Sequence, residues 1–248
     1  SKEFFRSYNF KIEKENQKIG IFETDYLEIE TKVPDKSLGA IRSALSKALK
    51  TQYGLPIADK YRIRIEPTEN PNKSEIYLTL SSIGEVVIAE QRLWQPREKD
   101  VELETEMLLK LMVFLGDDRT ESISKIQSNL IPSEIIASVF NSDSGYATLA
   151  LPYNKKQSWK LLGWALDELS IDVEDRDPLE GSYLIKFSPS QGLLSKLLST
   201  VSDKSYQLIV KEVGELQTHV IFVDLSEEND EDIINYSYEL FNSIASKF

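Results

Sequence analysis

Asp59-Lys60-Tyr61-Arg62-Ile63-Arg64-Ile65-Glu66 alternates apolar and charged side chains over its last six positions. Tyr61, Ile63 and Ile65 fall on one face and Arg62, Arg64 and Glu66 on the other. That pattern predicts an antiparallel strand with one face in a core and the other in water. A second stretch, Asp203-Lys204-Ser205-Tyr206-Gln207-Leu208-Ile209-Val210, lines up with it. The match extends in both directions. Residues 75–80, with Ile76, Leu78 and Leu80 inward, correspond to residues 217–224. Each copy then closes with an acidic helix start, as the helix macrodipole favours. In the first copy Glu102, Glu104 and Glu106 lead into an apolar stripe of Met107, Leu111, Phe114 and Leu115. In the second, Asp230, Glu231 and Asp232 lead into Ile233, Leu240, Phe241, Ile244 and Phe248.

Upstream, Phe10-Lys11-Ile12-Glu13 alternates as a strand, and residues 18–28 form a second β run after the turn Glu15-Asn16-Gln17. Their counterparts are Ile171-Asp172-Val173-Glu174, a turn through Pro178 and Gly181, and a strand over 182–187. Val173 follows Ile12 by 161 residues, but Tyr206 follows Tyr61 by only 145. A helix-prone insertion therefore separates the halves of each copy, at 37–50 and at 191–201, and the first copy's is the longer. The second copy opens with a strand over 145–153 and a helix capped by Asn154, along which Trp159, Leu162, Leu166 and Leu169 form one apolar stripe. Phe4, Phe5 and Tyr8 read as the last turns of the equivalent helix in the first copy. The chain starts at Ser1 without Met, so a fragment of a longer protein is expected.

The fold class expected is α+β: two tandem helix-grip-like domains, each an antiparallel sheet packed around its C-terminal helix. The first covers 1–116, lacks its first strand and most of its first helix, and carries the 37–50 insertion. The second covers 145–248. Between them, 117–144 has no strand pattern, and Pro132 interrupts its intermittent apolar series, so it reads as a partly helical linker. At roughly 150 residues per domain, 248 residues accommodate one large domain or two small ones.

Composition excludes several functions. Net charge is −12, the wrong sign for a protein that grips nucleic acid by neutralising phosphates, and anionic headgroups would repel it. Cys is absent and His occurs once, which removes disulfides, thiolate zinc sites, Cys nucleophiles and multi-His metal centres. No apolar run approaches the roughly 18 residues that cross a bilayer as a helix. The glycines are scattered singly, with no phosphate-cradling loop. His219 shares parity with Ile221 and Val223 in a strand and has no G-x-S-x-G elbow beside it, so a packed or edge role is expected. Carboxylates cluster at Asp172, Glu174, Asp175 and Asp177, and at Glu227, Glu228, Asp230, Glu231 and Asp232. Both clusters read as a solvated face and a helix start, and neither has the spacing of a calcium loop. Trp94, within an 85–99 addition peculiar to the first copy, Trp159 and Trp164 are each expected to pack locally; an exposed one would be an interface candidate. No catalytic, metal-binding or cofactor-binding residue emerges, no cofactor is expected, and partner-contact residues remain unknown.

Four stretches resemble the BamC (NlpB) family, the accessory lipoproteins of the outer-membrane β-barrel assembly machinery. They are residues 5–28 with Thr24-Asp25-Tyr26, Tyr61-Arg62-Ile63-Arg64-Ile65-Glu66-Pro67, Glu104-Thr105-Glu106-Met107-Leu108, and the second copy, which Leu151-Pro152-Tyr153 leads into the helix of Trp159. The resemblance covers nearly the whole chain. It implies two helix-grip domains and a non-enzymatic scaffold or modulator of β-barrel folding and insertion, acting through protein–protein contacts. It further implies other subunits of the assembly complex as partners, above all the TPR lipoprotein, reached through a segment upstream of this chain. Attachment to the bacterial outer membrane would come from a lipidated Cys, also upstream, with the soluble domains in the periplasm or at the cell surface. The insertions at 37–50 and 85–99 depart from the family pattern. The competing expectation is a ligand- or peptide-binding module that uses a groove between sheet and helix.

Overall fold

The computed structural model describes residues 1–29, 56–68, 70–88, 91–128, 136–142, 144–186, 204–225 and 231–248. The helix-prone stretches at 37–50 and 191–201, together with Glu227, Glu228 and Asp230, lie outside the described residues. The first elements are α1 (Lys2–Ser7), β1 (Ile12–Asn16), β2 (Ile21–Thr24), β3 (Leu27–Ile29), β4 (Ile57–Pro67), β5 (Ser74–Ile88), β6 (Gln91–Arg97), α2 (Val101–Phe114) and α3 (Arg119–Ser128). There follow β7 (Ser138–Asn141), β8 (Ala147–Leu151), α4 (Lys155–Glu168), β9 (Asp172–Asp177), β10 (Ser182–Lys186), β11 (Ser205–Gly214), β12 (Gln217–Asp224) and α5 (Glu231–Ala245). One sheet runs β1-β2-β4-β5-β6, with β3 also paired to β4, and the other β7-β8-β12-β11-β10-β9. The protein is thus α+β, with two antiparallel sheets, each packed against helices. By compactness the chain divides into one unit of residues 1–15, 22–62 and 80–122 and a second of 16–21, 63–79 and 123–248. The tips of the β1–β2 and β4–β5 hairpins therefore belong to the second unit.

The repeat is visible in the backbone hydrogen bonds, at both sequence offsets. After α1 the chain turns through Asn9, at φ 66°, with Asn9 N–H donating to Arg6 O and Phe10 N–H to Phe5 O. After α4 it turns through Ser170, at φ 54°, with Ser170 N–H donating to Asp167 O and Ile171 N–H to Leu166 O. Both are Schellman endings, which satisfy the last carbonyls of a helix through one left-handed residue. Gly20 and Gly181 repeat at the same 161-residue spacing, both at positive φ. Gly20 O accepts from Ile65 N–H and Gly181 O from Val210 N–H, each at 2.9 Å, and Val210 follows Ile65 by 145 residues. The shift from one offset to the other falls where the sequence placed the insertions.

Capping and periodicity explain the helices. Asn154 Oδ1 accepts from Gln157 N–H at the start of α4, and Asp100 Oδ1 from Leu103 N–H at the start of α2. On α4, Trp159, Leu162, Ala165 and Leu166 are buried; on α5, Ile233, Tyr236, Leu240, Phe241 and Ile244 are. These stripes close on Leu149, Tyr183, Tyr206, Leu208, Val220 and Phe222 to form the core of the second sheet. Burying each large apolar side chain contributes about 1.5–3 kcal/mol. In the first unit Phe5 packs its ring against Phe10, Phe22 and Tyr61. The α2 stripe is only half covered: Met107 and Leu111 are buried, whereas Phe114 and Leu115 are exposed.

Two expectations need correction. The face of β4 expected to meet water is buried, Arg62, Arg64 and Glu66 included. Alternation assigns side chains to faces but says nothing about what lies over a face. The stretch 117–144 is not free of strand: besides α3 it contributes β7, which pairs antiparallel with β8 from Ser138↔Ala150 to Asn141↔Ala147. Four residues are too few for a periodicity, and β8 supplies the pairing.

Candidate functional site

The densest polar arrangement lies within the second unit, around the buried end of β4. Arg64 Nε donates to Asp167 Oδ2 at 2.6 Å, and Arg64 Nη1 donates to Glu66 Oε1. Arg176 of β9 completes the group: Nη1 donates to Glu66 Oε1 at 2.6 Å and Nη2 to Ile65 O at 3.0 Å. Arg64 is only 1% exposed. Its guanidinium lies 3.9 Å from the Tyr77 ring centroid, and that of Arg176 lies 5.9 Å from the Trp159 ring, both cation–π arrangements. Trp159 in turn stacks on Tyr183, centroids 5.0 Å apart, and Tyr183 Oη donates to Trp159 O.

Two guanidinium groups and two carboxylates balance in charge, which is the condition for burying them at all. The helix beneath accommodates them through Gly163. A Cβ there would sit 2.4 Å from Tyr183 Oη and 3.3 Å from Arg64 Cζ. Glycine inside a helix costs about 1 kcal/mol relative to alanine, and here close approach requires it.

At the rim, Tyr77 Oη donates to Glu75 Oε2 at 2.9 Å, and Lys160 Nζ donates to both Glu75 oxygens at 2.6 and 2.8 Å. Burial raises the Glu75 carboxyl, but hydrogen bonds from Lys160 and Tyr77 outweigh it and hold the group below the ordinary glutamate range. Burial pushes the Tyr77 phenol well above the usual tyrosine range, with the Glu75 hydrogen bond adding to it. Burial does the same to Tyr183. The arrangement is an ionic lock.

The first unit carries a smaller relative of it. Glu23 faces Arg62 at 3.4 Å and Lys60 at 3.2 Å, and Ser82 Oγ donates to Asp59 Oδ1 at 2.6 Å. Thr24-Asp25-Tyr26 is structural here: Tyr61 N–H donates to Thr24 Oγ1, and Asp25 N–H to Lys11 O. Burial, then the charges of Glu23, Glu13 and Asp59, raise the Tyr26 phenol.

The residues singled out in the sequence disperse. Asp175 pairs with Lys18 at 2.5 Å, a contact that with the Arg176 N–H lowers its carboxyl below the ordinary range. Glu174 Oε2 accepts from Ser205, and Asp177 Oδ1 from the N–H groups of Leu179 and Glu180 in the following turn. Glu231 and Asp232 occupy the first turn of α5. His219 meets the Phe140 ring edge-on, 5.1 Å between centroids, opposite Lys211 and Ala150 in the sheet. Among the described residues no group of His, Cys, Asp and Glu is placed to hold a metal ion. Trp159 is buried, and Trp164 packs against Phe248. Trp94 breaks the expectation of local packing: it is 45% exposed on the ribbon of β5 and β6, beside exposed Leu93, paired across to Glu85.

Comparison with known proteins adds to this geometry. Residues 138–248 match the family described as the outer membrane protein assembly factor BamC-like C-terminal domain. The chain is also 31% identical over 228 residues, 85% of its length, to a protein of Accumulibacter regalis described as outer membrane protein assembly factor BamC. It is 31% identical over 236 residues, 88% of its length, to the protein of that description from Thiobacillus denitrificans. Over most of its length the chain is thus similar to BamC assembly factors. It spans 59% and 62% of the length of those two relatives.

The stretch matching the BamC-like C-terminal domain starts at β7, so the short strand that periodicity missed opens it. It also holds Trp159, Gly163, Asp167 and Arg176, one side of the ionic lock; Arg64, Glu66 and Tyr77 come from the β4–β5 hairpin tip. Sequence reasoning missed this site because its partners lie 103 and 110 residues apart along the chain. One signal was present: a mid-helix glycine with apolar neighbours, which implies that something large approaches the helix.

Proposed function

We propose that this chain acts in outer-membrane protein assembly as a non-enzymatic scaffold or modulator, through contacts with other subunits of the β-barrel assembly complex. The observation that carries the reading is 31% identity over 85–88% of the chain to proteins described as BamC assembly factors. Its two domains, 1–116 and 145–248 with β7 of the stretch 117–144 added to the second sheet, are the scaffold, and a lipid anchor on an upstream Cys holds them at the outer membrane. The TPR lipoprotein subunit is the expected first partner, bound through the upstream segment. The exposed Leu93 and Trp94 are the contact candidates within this chain, since aromatic anchors dominate protein interfaces.

The test is affinity purification of the full-length protein from detergent-solubilised outer membranes. Co-recovery of the barrel-assembly subunits is expected, and a Trp94→Ala variant should recover less with an unchanged Tm. Recovery of the anchored protein without those subunits would overturn the reading.

A further inference from the structure

β6 is the outermost strand of the first sheet, and all seven of its residues are exposed, so neither of its faces packs into a core. Consecutive strand residues point to opposite faces. Leu93, 43% exposed, and Trp94, 45% exposed, therefore stand on different sides of the ribbon. Each side also carries an arginine, Arg92 with Trp94 and Arg97 with Leu93. A partner laid on either face would cover only one of the two apolar groups. A strand added alongside β6 would touch both.

The main chain is set for that addition. Glu85 of β5 donates its N–H to Pro56 O at 3.0 Å, on the β4 side. Glu85 and its register partner Trp94 are therefore a non-hydrogen-bonded pair, and Trp94 directs its own N–H and C=O away from β5. Arg92 and Pro96 share that parity. Pro96 has no N–H, and at this position β5 needs none from it. The outer edge thus presents donors at Arg92 and Trp94 and acceptors at Arg92, Trp94 and Pro96, with no strand beyond it among the described residues. Such an edge is a template for one more strand.

Charge selects the occupant. β6 holds two arginines and no acid, in a chain of net charge −12. Arg92 Nη1 donates to Glu85 Oε2 at 3.3 Å, yet the Arg92 side chain stays 69% exposed. A second copy of β6 would double the arginines along one seam and lose a donor at each Pro96. We infer that the outer edge of β6 is a strand acceptor for an extended acidic segment of another protein. That segment is apolar where it passes Leu93 and Trp94 and acidic where it passes Arg92 and Arg97. The inference deepens the reading of Leu93 and Trp94 as contact residues and rests on it.

Two capped peptides of about eight residues, an ordinary strand length, test this. Both consist of threonine around a central valine–phenylalanine pair. One has glutamate and the other lysine at the two positions that pass Arg92 and Arg97. Added to the isotope-labelled 248-residue chain, the glutamate peptide should slow amide exchange at Arg92 and Trp94 by about tenfold or more. Leu93 and Gln95, whose N–H groups face β5, should change little. By chemical-shift titration the lysine peptide should bind at least about tenfold more weakly. Trp94→Thr should weaken binding of the glutamate peptide by a similar factor and leave Tm unchanged. No protection at Arg92 and Trp94, or equal binding of the two peptides, would overturn the inference. Protection that appears without peptide and rises with protein concentration would assign the edge to a second copy and overturn it equally. Because the probe is a free peptide, failure here leaves the assembly role untouched.

Discussion

β4 and β11 occupy corresponding places in the two copies and diverge on one face only. Towards the core, Tyr61, Ile63 and Ile65 stand where β11 has Tyr206, Leu208 and Val210, and Tyr61, Ile63, Tyr206, Leu208 and Val210 are all buried. On the opposite face Arg62, Arg64 and Glu66 of β4 stand where β11 has Gln207, Ile209 and Lys211. The charged set is the buried one, and the mostly neutral set is half-buried or exposed. A duplicated sheet keeps its core face because packing around the helix fixes it. Its back face is free to diverge, and in the first copy it has become an ionic lock.

Breaking the lock gives the largest expected effect. Arg64→Met leaves Asp167 buried without its guanidinium partner, a change that costs about 3–5 kcal/mol. The matching change on β11, Ile209→Met, should stay within about 1.5 kcal/mol, as near-isosteric apolar swaps do. Urea unfolding of both variants measures the contrast.

Gly163→Ala should come next, destabilising by about 1–3 kcal/mol where an ordinary helical glycine would gain from the same change. Tyr183→Phe removes the Oη that meets the new Cβ at 2.4 Å, so the double variant should recover part of the loss. Additive losses would contradict close approach as the cause.

The two turn glycines compare the copies directly. Both have positive φ, but a Cβ on Gly20 meets Ile65 O at 2.5 Å, whereas on Gly181 the nearest backbone atom, Val210 O, is 3.3 Å away and the flexible Lys155 end can yield. Each alanine variant should cost about 1 kcal/mol for the conformation alone, with Gly20→Ala the worse of the two by thermal unfolding.

The smallest effect is a pH dependence at the rim. The folded Glu75 carboxyl lies below its ordinary value, so its contribution is present above about pH 4.3 and is lost as pH falls through the lower, folded value. Glu75→Gln should therefore flatten the acid limb of stability against pH and leave the limb above neutrality unchanged. Chemical denaturation from pH 2 to 7, a span of about two units either side of the carboxylate range, reads it.

Much of the fold was legible because it is written locally. The cap at Asn154, the stripes of α4 and α5, and the two offsets all follow from residues within one element or its turn. The lock was illegible for a physical reason: Arg64 and Glu66 alternate like any solvated face, and only Asp167 and Arg176, far along the chain, turn that face into an interior. Trp94 misled in the opposite sense. A tryptophan suggests packing, but β5 and β6 carry it on a ribbon where Glu85 is its cross-strand neighbour. β7 escaped because a four-residue strand depends on its partner.

The most direct measurement is a double-mutant cycle on Arg64→Met and Asp167→Leu, followed by urea unfolding. The lock predicts that the double variant is more stable than the sum of the singles implies, with a coupling of about 1–3 kcal/mol. Losses that add to within about 0.5 kcal/mol would show that the two groups do not share a buried interaction.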